Sequence, residues 1–103
     1  MKTPTAALTL LMAACLPAAA QDREALYVKS LAASCAACHG TNGQAVQGSS
    51  VVSLAGMPRE QLAVQLKAFK AGTRPSTIMG QIAKGYSDAQ IEQLAGYFVS
   101  LKK

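Results

Sequence analysis

Two cysteines and the only histidine of this 103-residue chain stand within five consecutive positions, Cys35-Ala36-Ala37-Cys38-His39. Two thiols and an imidazole at this spacing suit the attachment of a c-type haem. Each sulfur adds across a vinyl group to give a thioether, and the histidine that follows reaches the iron as its proximal ligand. The porphyrin sets the spacing, because two bridged vinyls and one axial nitrogen must be reached from a single short peptide. Ala36 and Ala37 add no bulk against the ring edge.

Other uses of the same residues each need something more. A structural zinc ion wants four ligands, and only Cys35, Cys38 and His39 remain once the leader described below is removed. A thioredoxin-like dithiol would follow a strand in a βαβ setting, whereas an alanine-rich helical run precedes Cys35. A disulfide between Cys35 and Cys38 would close so short a loop that it constrains the unfolded chain little.

Residues 1–20 are expected to be a secretory signal. Lys2 supplies a positive start, Ala6 to Leu16 an apolar run, and Ala18-Ala19-Ala20 small residues for cleavage before Gln21 or Asp22. The domain is then 21–103. Leu11-Met12-Ala13-Ala14-Cys15 loosely resembles a lipobox, with Met12 where leucine is usual. Cys15 is expected to be a small residue of the apolar run, with lipid anchoring there as the alternative. Export to the periplasm agrees with covalent haem attachment, and nothing after Gln21 is apolar enough for a transmembrane helix.

The formal charge of +5 falls by one with Lys2, and two haem propionates would lower it further. No arginine-rich stripe with interleaved aromatics points to nucleic acid. No Ser-His-Asp set, phosphate loop or carboxylate pair suggests catalysis. About eighty residues form one domain with a marginal core, to which a buried haem would add an apolar centre.

The elements that must position the motif read as helices. Asp22 to Cys35 is predicted as the first, with Asp22 and Glu24 near its positive end, Leu26, Val28 and Leu31 among its apolar positions, and the motif at its C-terminal end. Gly40-Thr41-Asn42-Gly43 breaks it, and Gln44 to Ser53 is a loop without a period. Pro58 suits the first position of a second helix, over Arg59 to Ala71, with Leu62, Leu66 and Phe69 at helical spacing and Gly72 as its stop. Thr77 to Lys84 suits a short helix. Ser87 and Gln90 form a capping box that opens the last helix, with Ile91, Leu94, Phe98 and Leu101 on one face and Lys102 and Lys103 complementing its negative end. No strand pattern occurs, so the fold class is all-α.

A six-coordinate carrier needs a ligand on the far side of the iron, and the mature chain offers Met57 and Met79. Met57 lies just before a helix, where a thioether often fills a core gap. Met79 lies between the second and last helices, and is the expected ligand.

The chain resembles class I cytochromes c, more narrowly the cytochrome subunit of flavocytochrome c sulfide dehydrogenase and single-haem halves of the cytochrome c4 group. The residues that carry the resemblance are Cys35 to Gly43, Phe69-Lys70-Ala71-Gly72, Ser76 to Ser87 and Leu94 to Phe98. It implies three to five helices packed around one covalent haem c, with Met79 of the Ser-Thr-Ile-Met segment as distal ligand. It also implies a periplasmic, non-enzymatic electron carrier whose FAD flavoprotein partner takes electrons from sulfide, while other redox proteins accept them from the haem. Tyr97 and Phe98 resemble aromatic packing residues where first and last helices cross. The alternative is a free carrier, on which Lys67, Lys70, Arg74 and Lys84 form either a steering ring or ordinary solvated charges. A sensory or enzymatic haem with an open iron would conflict with Met79. Many relatives carry a proline in the loop after the motif, near the carbonyl that meets the proximal histidine's other nitrogen. Residues 48–53 contain none, which leaves that nitrogen of His39 without an assigned partner.

Overall fold

The computed structural model describes residues 15–103. Among them lie five α-helices, α1 (Cys15–Ala33), α2 (Ala36–His39), α3 (Arg59–Ala71), α4 (Met79–Lys84) and α5 (Asp88–Ser100), with a 3₁₀ turn over Thr41–Gly43. Most of the expected leader, with Lys2 and the Leu11–Ala14 part of the lipobox-like segment, lies outside the described residues.

The first helix starts earlier and ends sooner than its pattern predicts. Alanine is the strongest helix former, so in the full chain Ala18-Ala19-Ala20 continues without a break into Asp22, whereas in a chain that begins at Gln21 or Asp22 the acidic residues Asp22 and Glu24 would stand in the first turn. At the other end Ser34 and Cys35 form a turn. The motif therefore rides on its own short helix, α2, closed by His39 N–H donating to the Cys35 carbonyl at 2.9 Å. Ala32 is buried and Val28 and Leu31 are half-buried, while Leu26 points to solvent.

Pro58 caps α3 instead of occupying its first turn, and its carbonyl accepts the Leu62 N–H at 3.0 Å. At the far end Gly72 adopts φ +76°, so that its N–H reaches the Phe69 carbonyl and the Thr73 N–H reaches Ala68. These two bonds satisfy carbonyls that the helix itself leaves unpaired. The capping box forms as predicted: Gln90 N–H donates to Ser87 Oγ at 3.1 Å, and Ser87 N–H to Gln90 Oε1 at 2.9 Å. Lys102 and Lys103 do not cover the negative end of α5. The helix stops at Ser100, the chain turns extended at Leu101, and the Lys102 carbonyl accepts a bond from Gln44 Nε2 at 2.8 Å.

Leu62, Ala63 and Leu66 of α3 pack with Ile91, Leu94, Ala95 and Phe98 of α5, joined by Leu54, Met57 and Ala32. Burying each large apolar side chain contributes about 1.5–3 kcal/mol. Phe98 also abuts Gly43, where φ is +72° and a Cβ would stand 2.8 Å from the ring. Across the outer surface Lys67 pairs with Glu92 at 2.6 Å, Lys70 with Asp88 at 2.8 Å and Arg59 with Glu92 at 3.6 Å.

Replacing Ser87 by alanine removes the hydroxyl half of the capping box and should cost about 1 kcal/mol, read as a melting point several degrees lower. Lys70 holds the Asp88 carboxyl, and Lys67 the Glu92 carboxyl, below their ordinary values. A depressed folded-state value stabilises above the unfolded pKa of about 4 and is lost as pH falls through the folded value. Melting temperature should accordingly drop in acid below about pH 4, and added salt should blunt the part due to these exposed pairs.

Candidate functional site

A cavity of about 340 Å³ opens between the motif and α4. Cys35, Cys38 and His39 line it from one side, and Thr77, Ile78, Met79 and Ile82 also face it. Leu54, Leu62, Leu66, Phe69, Leu94 and Phe98 supply apolar wall. Such a crevice, with a few polar groups converging in an apolar setting, suits a flat apolar prosthetic group.

His39 is buried, at 9% exposure. Its Nδ1 lies 2.7 Å from the Val52 carbonyl. A carbonyl can only accept, so Nδ1 carries the proton and the lone pair is on Nε2, the tautomer a metal-binding imidazole needs. The loop that presents Val52 contains no proline, yet it is pinned repeatedly. Ala45 N–H donates to Ser53 Oγ at 2.9 Å and Val51 N–H to Ser49 Oγ at 3.1 Å. Leu54 and Ala55 N–H both donate to the Gly43 carbonyl, at 2.7 and 3.0 Å. Gly40 permits the return of this loop: φ is +86°, and a Cβ there would run into the Gln44 carbonyl.

Cys35 and Cys38 are free thiols, the first half-buried and the second exposed. Burial pushes the Cys35 thiol up, against a smaller opposing effect from the Ser34 hydroxyl. A thiol raised in this way is a poor redox dithiol, which needs a stabilised thiolate. No group of three or more His, Cys, Asp or Glu side chains converges on a metal position among the described residues. The donor chemistry fits a haem: two thiols on one turn, one imidazole with a free Nε2, and an apolar crevice before them.

The two methionines separate clearly. Met79, half-buried at the start of α4, lines the cavity, whereas Met57 is 7% exposed within the core and does not line it. The set Lys67, Lys70, Arg74 and Lys84 does not form a free ring. Lys67 and Lys70 hold α5 through Glu92 and Asp88, and Arg74 lies 4.7 Å from the centre of the Phe69 ring. Opposite charges were within reach on the neighbouring helix and took the lysines.

Sequence reasoning missed the Val52 carbonyl, the serine clamps and the bond between Ser34 and Tyr86. A backbone acceptor leaves no mark in residue type, although three serines in an aperiodic loop were a sign of side-chain-to-backbone bonding. Replacing Ser49 and Ser53 together by alanine should loosen Val52 and speed exchange of the His39 Nδ1 proton, read by NMR, with helical circular dichroism unchanged. Unchanged exchange would leave the two bonds to Gly43 sufficient on their own.

The family pattern for cytochrome c matches residues 25–102. The chain is 44% identical over 73 residues to the cytochrome subunit of sulfide dehydrogenase from Chlorobaculum tepidum, covering 71% of this chain and 64% of the relative. It is 44% identical over 71 residues to a thiosulfate dehydrogenase electron acceptor from Thiomonas intermedia, covering 69% and 33%. It thus spans less than two thirds of either of these relatives. Against cytochrome c-553 of Helicobacter pylori it is 40% identical over 77 residues, covering 73% and 78%. With the attachment motif and nearly all of the helical domain inside the matched region, the chain belongs to the cytochrome c family, which binds haem c covalently.

Proposed function

We propose that this chain is a periplasmic electron-transfer subunit that accepts electrons from a flavoprotein sulfide dehydrogenase and passes them to other redox proteins. The observation that carries the reading is one apolar crevice lined by Cys35, Cys38, His39 and Met79. In this reading Cys35 and Cys38 would hold the haem by thioethers, and His39 Nε2 and Met79 Sδ would bind its iron. When bound, the haem supplies a one-electron couple, whose potential histidine and methionine ligation raises.

The chain's own residues do the rest. The Val52 carbonyl keeps the His39 ring in one tautomer and orientation. Leu54, Leu66, Phe69 and Leu94 exclude water from the crevice, which favours the less charged state of a buried centre. Residues 1–20 would direct export and leave a domain of 21–103. Among the described residues no helix is long and apolar enough to cross a membrane.

The relatives named as a sulfide dehydrogenase subunit and as a thiosulfate dehydrogenase electron acceptor support a dedicated partner. The second reading is a free carrier with the same fold and ligands. Gentle purification from the periplasm decides between them: flavin in fixed ratio to haem is expected for the first, and haem alone would favour the second. Replacing Met79 by alanine should create carbon monoxide affinity in the reduced protein, and no gain would refute the ligation. N-terminal sequencing should begin at Gln21 or Asp22; a lipid-blocked Cys15 would overturn that cleavage site.

A further inference from the structure

We propose that the hydrogen bond between Tyr86 and Ser34 is a latch that holds the segment bearing Met79 against the haem-attachment turn. Ser34 Oγ and Tyr86 Oη lie 3.0 Å apart, fifty-two positions apart in the chain. The Ser34 hydroxyl donates to the Leu31 carbonyl at 3.1 Å, so its lone pair receives the Tyr86 proton. Both residues line the crevice. Ser34 immediately precedes Cys35, and Tyr86 closes the stretch that begins at Met79 and runs into the Ser87 cap. Among the described residues, no other hydrogen bond joins residues 34–39 to residues 76–87.

The segment needs such a fastening. Ala83 is fully buried, and Met79 and Tyr86 are half-buried and pack against the core, so the apolar contacts of the segment run to the core rather than to the attachment turn. Gly80 N–H is held by Ser76 Oγ at 2.8 Å, but that bond lies within the segment itself. A short stretch joined to the attachment turn by a single hydrogen bond opens there at a lower cost than the fold as a whole. Each opening would withdraw Met79 from the crevice. Tyr86 and Ser34 are therefore positioning residues that act through Met79.

The inference rests on Met79 as distal ligand, and its test separates the two ideas. The holoprotein and its Tyr86→Phe, Ser34→Ala and doubly substituted forms are compared for carbon monoxide affinity when reduced. The pH at which the oxidised protein loses its methionine–iron absorption band is the second readout. Phenylalanine keeps the ring, so packing is retained while the bond is lost. Each single change is expected to raise carbon monoxide affinity about fivefold, the size of one neutral hydrogen bond, and to lower the midpoint pH. The double change should add nothing beyond either single change, and Ser34→Thr should restore the original behaviour. Tyr86→Phe with both readouts unmoved, or single effects that multiply, would overturn the latch. Met79→Ala is the control: if it raises affinity while Tyr86→Phe does not, the latch alone fails, and if it does not, ligation and latch fall together.

Discussion

The hydrogen bond from His39 Nδ1 to the Val52 carbonyl is the constraint on which the site depends. The chain has one histidine, and only a fixed tautomer leaves Nε2 free on every molecule. A carbonyl performs that task because it never donates, but it must be held at hydrogen-bond distance by a loop that has no periodic structure. The loop is consequently tied at both ends. Ser49 and Ser53 bind its own amides, Gly43 receives Leu54 and Ala55, and Gly56 N–H reaches the Phe98 carbonyl of α5 at 2.9 Å. The last of these links the histidine's support to the helix that closes the core.

That arrangement explains the two demanding glycines next to the motif. Gly40 lets the backbone turn back directly after His39, and Gly43 lets the loop approach the Phe98 ring where a Cβ would collide with it. The ring is 2% exposed, so the contact belongs to the core as much as to the site. Phe98 in this way couples the stability of α5 to the placement of Val52. Tyr97, edge-on to Phe98 with centroids 5.3 Å apart, adds to the same aromatic pair.

Charge is used locally in this fold. Lys67 and Lys70 cross from α3 to α5 and meet Glu92 and Asp88, which leaves Arg74, on the crevice wall, and Lys84 of α4 without an ion pair among the described residues. The outer ion pairs themselves are solvated and individually weak; the buried leucines, Ile91 and Phe98 dominate the joining of the two helices.

The residues alone determined the attachment chemistry, the all-helical class, the span of α3 and both halves of the α5 cap, since each depends on neighbours within a turn or two. Extrapolation failed where one local signal met a competing one. The Lys102-Lys103 pair was expected on the negative end of α5, but the chain turns extended at Leu101 and the Lys102 carbonyl meets Gln44. Met79 was already preferred to Met57 from its position and the family resemblance, but only the tertiary structure decided that Val52 meets His39 and that the lysines are paired. Those outcomes are set by which distant segments fold back against one another. A backbone carbonyl carries no residue signature, and a lysine does not show in sequence which carboxylate of another helix will reach it.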